Sequence, residues 1–204
     1  VKVIGLTGGA GAGKSAVAGL LEAKGILYLD ADRFAREAVA PGTPALREIV
    51  EFFGADMLLP DGALDRERMA ERVFSDPAAR EKLEAITHPR ILAMIGEELE
   101  KARASGRYPA AVVEAPLLFE SGCVDMMDEI WAVDATEDRQ IARMMRRGLT
   151  ADMARDRLRA QMDPEERQDR ADILIENNGS LDDLSKAVDE AWADAQARWS
   201  HGEA

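Results

Sequence analysis

Cysteine is almost missing from this chain: Cys123 stands alone among 204 residues. No disulfide can close within it, which excludes a disulfide-stapled scaffold and fits a reducing compartment. With no histidine near it in sequence, Cys123 reads as a small packed residue rather than a nucleophile. No apolar run reaches membrane-spanning length. The first residues read as a strand running into a glycine-rich loop, not as a signal peptide. Internal repeats and low-complexity linkers are absent as well. Positive charge is in short supply: 26 Lys and Arg face 39 Asp and Glu, a net charge of −13. Such a surface repels nucleic acid and anionic membranes. It also repels nucleotides, so any phosphate site must be locally positive. The length suits one domain with room for an inserted lid, and it can bury a sizeable core.

What is present is a glycine loop. Gly8-Gly9-Ala10-Gly11-Ala12-Gly13-Lys14-Ser15 fills every fixed position of the pattern G-x-x-x-x-G-K-[ST]. A backbone that wraps phosphates must turn its N–H groups inward, and glycine allows the dihedrals and the close approach this needs. Lys14 places a positive charge on the β- and γ-phosphates, and the Ser15 hydroxyl is a ligand for Mg²⁺. Residues 1–6 are apolar and β-branched, as in a buried strand. Residues 15–24 have helical spacing and stop at Gly25. Strand, loop and helix are the context the motif requires, and the helix N-terminus favours the anion.

Residues 26–29 read as a second strand ending in Asp30-Ala31-Asp32. Ligands in open α/β sheets lie beyond the carboxyl ends of strands, so either carboxylate can take a proton from a hydroxyl or hold Mg²⁺ through water. Asp30 also reads as the cap of a helix over 31–39. Helices follow over 45–53, ended by Gly54, over 66–74, capped by Asp65, and from Pro77. His88-Pro89 predicts a break before a helix over 90–104, and His88 on its own reads as structural. These helices, with no strand among them, form a helical insertion.

A third strand over 110–114 leads into Pro116-Leu117-Leu118-Phe119-Glu120. Glu114 fits either a place beside Mg²⁺ or a capped strand end, and the Leu-Leu-Phe run either an apolar ligand wall or core. Residues 130–133 form a fourth strand in which Trp131 packs. Arginines 139, 143, 146, 147, 155, 157, 159, 167 and 170 then dominate, with no lysine. Thr150 caps a helix over 151–162, and Pro164 restarts one. A helical lid carrying arginine can exclude water and neutralise phosphate charge, while most of the arginines pair with interleaved acids. Residues 172–175 form a fifth strand. Asn177 after it either reads an adenine edge or sits in a plain turn. Ser180 caps the last helix, where Trp192 and Trp199 form a packing stripe.

Laid out in this order, the chain resembles bacterial dephospho-CoA kinases over nearly its whole length. The residues that carry the resemblance are Gly5-Leu6-Thr7-Gly8-Gly9 with Gly13-Lys14-Ser15, Asp30-Ala31-Asp32, His88-Pro89, Pro116 to Glu120, Ala160-Gln161, and Ala171-Asp172 with Asn177 and Gly179. The resemblance implies an α/β P-loop NTPase fold. Its parallel sheet has five strands in the order 2-3-1-4-5, with a helical acceptor-binding insertion over 31–105 and a helical lid over 137–170, all within one domain over 1–204. It implies ATP-dependent phosphorylation of the ribose 3′-hydroxyl of dephospho-CoA, with Mg²⁺, in the cytoplasm, by a chain expected to be a monomer without nucleic-acid or membrane partners.

Asp32 corresponds to the proposed general base and Lys14 to the phosphate-stabilising lysine. Arg147 and Arg143 are the preferred lid arginines, ahead of Arg146. Gly9, Gly11, Ala12, Gly13, Lys14, Ser15, Ala16 and Asn177 correspond to the ATP site. Thr7, Asp32, His88, Arg90, Leu117, Leu118, Glu120 and Gln161 correspond to the acceptor site. Ala16 stands where the family usually has Thr, and Glu114 where it more often has Asp. A nucleoside or nucleotide kinase of similar architecture and a regulatory P-loop switch are the rival readings.

Overall fold

Parallel strands buried on both faces need nearly unbroken apolar runs, and β3 (Ala110–Glu114) is one, with every residue buried. The computed structural model describes residues 1–119 and 122–201. By internal contacts the chain divides into two compact units, Val1–Leu29 with Ser105–Ala204, and Asp30–Ala104.

The first unit holds a five-stranded sheet ordered β2-β3-β1-β4-β5. The strands are β1 (Lys2–Gly8), β2 (Leu27–Asp30), β3, β4 (Glu129–Asp134) and β5 (Ile173–Glu176). β1 pairs in parallel with β3, from Lys2 opposite Ala110 to Leu6 opposite Glu114. On its other side it pairs in parallel with β4, from Ile4 opposite Glu129 to Gly8 opposite Val133. The loop that follows Gly8 therefore leaves the middle of the sheet. Ile4, Leu6, Val112, Trp131, Val133 and Ile175 pack with α1 (Lys14–Glu22) and α9 (Leu181–His201) into one core. Each buried aliphatic side chain there contributes about 1.5–3 kcal/mol. Trp131 is fully buried, and Trp192 and Trp199 meet edge to face at 5.6 Å against the same core, as expected of packing residues. Cys123 is buried.

Three further helices of this unit follow β4: α6 (Glu137–Arg146), α7 (Ala151–Arg159) and α8 (Pro164–Asp169). The Thr150 hydroxyl caps α7 by accepting from Met153 N–H at 3.2 Å. That helix ends at Arg159, short of the expected 162. Ile141, Met144 and Ala154 join α6 to α7, and Ala10 of the glycine loop packs against them.

The second unit is helical, with α2 (Ala31–Ala38), α3 (Pro44–Phe53), α4 (Arg66–Ser75) and α5 (Pro77–Ser105). Val39, Leu46, Ile49, Met57, Met69 and Ile86 belong to its own core. The expected caps hold: Asp65 Oδ1 accepts from Arg68 N–H at 3.0 Å, and Gly54 closes α3. The expected break at His88-Pro89 is corrected, because α5 runs through it with Pro89 inside. Proline removes one N–H and disfavours the helix, yet the apolar side chains on either side, Ile86 and Ile95, are buried along one continuous helix. The Arg90 guanidinium also donates to the Ile86 carbonyl at this point.

Candidate functional site

The loop from Gly8 to Gly13 joins β1 to α1. Gly11 and Gly13 adopt φ of +75° and +112°, which L side chains rarely take. Gly13 is the N-cap of α1, whose first turn carries no acidic residue, so the positive end of the helix is left for an anion. Lys14 Nζ folds back over the loop, donating to the carbonyls of Gly8 at 2.8 Å and Gly9 at 3.3 Å. Ser15 and Ala16 are exposed at the start of the helix.

Around this loop stand side chains from distant positions. Arg143 Nη1 donates to the Gly11 and Ala12 carbonyls at 3.1 and 2.8 Å, and its Nη2 donates to the Asn177 carbonyl at 2.9 Å. Asn177, itself buried, donates from Nδ2 to the Ala12 carbonyl at 2.7 Å. Gln161 Oε1 accepts from Ala10 N–H at 2.8 Å. Burial lowers the Arg143 pKa below its ordinary value, and the neighbouring Arg139, Arg146 and Arg147 push in the same direction. Beside the loop lies a cavity of about 610 Å³, lined among others by Gly9, Asp134, Gln140, Arg155, Arg159 and Gln161.

The expected site residues have these surroundings. Arg143 directs its fork to the backbone carbonyls of Gly11, Ala12 and Asn177. Asn177 gives one amide N–H to the Ala12 carbonyl. Gln161 meets the glycine loop itself. Thr7 is buried within β1, and Leu118 is fully buried, packed where a Cβ on Gly5 would fall 2.8 Å from its Cδ2. Of the expected apolar wall only Leu117 is exposed. Glu120 lies outside the described residues. Arg147 is exposed at the C-cap of α6, as is Arg146, the last residue of that helix. Glu114 is buried at the end of β3 and accepts from the Tyr28 hydroxyl at 3.0 Å.

Gln140 was not singled out from sequence. It is buried beneath the loop, where an added Cβ on Gly9 would come within 2.9 Å of its Nε2. Its one sequence signal was its place three residues before Arg143, on the same helix face.

In the second unit, Asp32 is exposed in the first turn of α2, whose cap is Asp30: Oδ1 accepts from Asp32 N–H at 2.9 Å and Arg33 N–H at 3.3 Å. His88 is half-buried within α5, and Arg90 pairs with Glu48.

The family model described as Dephospho-CoA kinase matches residues 2–183. A dephospho-CoA kinase of Geobacter sulfurreducens is 46% identical over 95% of this chain and 98% of its own length. One from Anaeromyxobacter dehalogenans is 48% identical over 95% and 92%. Among solved structures, TT1252 from Thermus thermophilus superposes with a TM-score of 0.82 at 36% identity, covering 95% of this chain and 97% of that one. Dephospho-CoA kinase from Campylobacter jejuni superposes with a TM-score of 0.69 at 27% identity over 95% and 96%. A shikimate kinase from Acinetobacter baumannii, 17% identical with a TM-score of 0.51 over 98% and 94%, shares the fold alone. With the family model spanning nearly the whole chain and relatives this similar along their full lengths, the chain belongs to the dephospho-CoA kinase family.

Proposed function

We propose that this protein transfers the γ-phosphoryl group of ATP to the ribose 3′-hydroxyl of dephospho-CoA, giving CoA and ADP, the last step of CoA biosynthesis. The family match over residues 2–183 carries this reading. The hydroxyl oxygen forms the new bond to the γ-phosphorus, the bond to the β–γ bridging oxygen breaks, and ADP leaves. Asp32 orients the hydroxyl and takes its proton. The loop N–H groups hold the phosphates, and Lys14 leaves the Gly8 and Gly9 carbonyls for the β- and γ-oxygens. Arg147, exposed, neutralises charge as the phosphoryl group moves. Positioning and electrostatics supply most of the rate in such a transfer.

Mg²⁺ fits the residues present. Ser15 offers an exposed hydroxyl at the loop. The ion that suits this is one held by phosphate oxygens, one hydroxyl and water, as Mg²⁺ commonly is. When bound it neutralises phosphate charge. His88, Arg90 and Leu117 are proposed to contact the acceptor. The enzyme is proposed to act as a cytoplasmic monomer, and no described helix is long and apolar enough to cross a membrane.

The test is ADP release from Mg-ATP with and without dephospho-CoA, with the product identified by mass and by the position of its phosphate. Stoichiometric CoA supports the assignment. Nucleotide binding without acceptor-dependent turnover removes it.

A further inference from the structure

A loop that points its N–H groups at phosphates must point carbonyls the other way, and those need donors wherever water is excluded. Here the carbonyls of Gly11 and Ala12 are held by two side chains that also hold each other's neighbourhood. Arg143 reaches Gly11, Ala12 and the backbone of Asn177 with one guanidinium, and Asn177 returns to Ala12 with its amide. We propose that Arg143 and Asn177 form a single clamp that fixes the phosphate-binding orientation of the glycine loop, so that Arg143 is a positioning residue acting through the loop and not on the transferring phosphoryl group.

The inference rests on the kinase reading only for the identity of the nucleotide. Three details support it. A guanidinium presents coplanar donors in a rigid fork, which suits several carbonyls at once, whereas an ammonium is a point charge. Asn177 itself is anchored, its N–H donating to the Asp134 carbonyl at 2.7 Å, so the clamp ties the loop to the ends of β4 and β5. The clamp also occupies the space that Gly13 leaves: a Cβ there would fall 2.1 Å from Asn177 Nδ2 and 3.7 Å from Arg143 Nη1.

The experiment compares three ligands on the full chain, measured by titration calorimetry in Mg²⁺ without acceptor: ATP, ADP and inorganic tripolyphosphate. The variants are Arg143→Lys, Asn177→Ala and the double variant, with thermal unfolding as the check on folding. A clamp serves the bed that all three ligands share. Arg143→Lys is then expected to weaken all three by the same factor, roughly tenfold to a hundredfold for the loss of one or two charge-assisted hydrogen bonds. The KM for ATP rises while kcat stays within about threefold, as for uniform binding. Because both side chains act on Ala12, the double variant loses less than the product of the single losses.

Loss for ATP and tripolyphosphate with ADP spared means direct contact with the transferred phosphoryl group, and overturns the proposal. Loss for ATP and ADP with tripolyphosphate spared means contact with the base, and overturns it too, as do unchanged affinities or strictly multiplicative losses. Should Arg143→Lys fail to fold, Asn177→Ala carries the same three-ligand comparison. A chain that binds all three ligands yet phosphorylates no dephospho-CoA removes the function proposed above and leaves the clamp standing.

Discussion

Trp131 Nε1 donates to Glu129 Oε2 across 3.0 Å, two residues apart on β4 and therefore on one face of the strand. The other carboxylate oxygen accepts from Arg198 of α9, whose Nε lies 2.9 Å away. One buried acid thus satisfies the indole of the most deeply packed aromatic side chain and fastens the last helix to the sheet. Glu129→Ala strands that indole N–H and is expected to cost about 1–3 kcal/mol in urea unfolding. Glu129→Gln keeps an acceptor and should cost less. Equal losses for the two variants would mean that the indole bond contributes nothing.

Asp30 and Asp32 are neighbours with separable effects. Asp30 caps α2 through two N–H groups, so Asp30→Ala should lower stability by about 0.5–2 kcal/mol. Asp32 is exposed and caps nothing. Asp32→Ala should retain stability and ATP binding while turnover falls by roughly 10²–10⁴-fold, the range of general acid–base catalysis. Near-normal turnover in Asp32→Ala would remove it from that role.

The loop glycines should not tolerate alanine equally. At Gly11 the backbone has φ of +75° and an added Cβ would fall 2.6 Å from the Gln140 carbonyl oxygen. At Gly9 the obstacle is the end of the Gln140 side chain, at 2.9 Å, which can shift more cheaply than backbone. Gly11→Ala should therefore carry a backbone penalty of about 1–3 kcal/mol and lose nucleotide affinity, with Gly9→Ala the milder variant in both. The reverse order in thermal unfolding and ATP titration would contradict this packing.

At the start of α9, the Ser180 hydroxyl and N–H donate to Asp183 Oδ2 at 2.7 and 2.9 Å. The hydroxyl bond first, then the backbone bond, lowers the Asp183 pKa below the usual carboxylate range. The folded state thus binds this proton less readily than the unfolded chain does. The contribution is fully present above the ordinary carboxylate pKa and is lost as pH falls through the depressed folded value. Asp183→Asn should flatten that part of the acid limb in thermal melts followed through the acidic range. An acid limb of unchanged shape would show that the bonds do not favour the ionised form.

Local chemistry determined much of this protein. The glycine loop and its strand–helix setting, the caps Asp30, Asp65, Thr150 and Ser180, and the five apolar runs all follow from rules that act within a few residues along the chain. The resemblance supplied the strand order, which periodicity does not contain. Tertiary structure alone decided where the long polar side chains go. One partner of Arg143 lies 131 positions away at Ala12, and that of Gln161 lies 151 positions away at Ala10. Nothing in the spacing of arginines tells a carbonyl brace from a phosphate contact, since the same donors serve both. Packing likewise put Leu118 inside and Leu117 outside, and kept α5 continuous through Pro89. In each case burial against distant chain outweighed a local preference worth only a few kcal/mol.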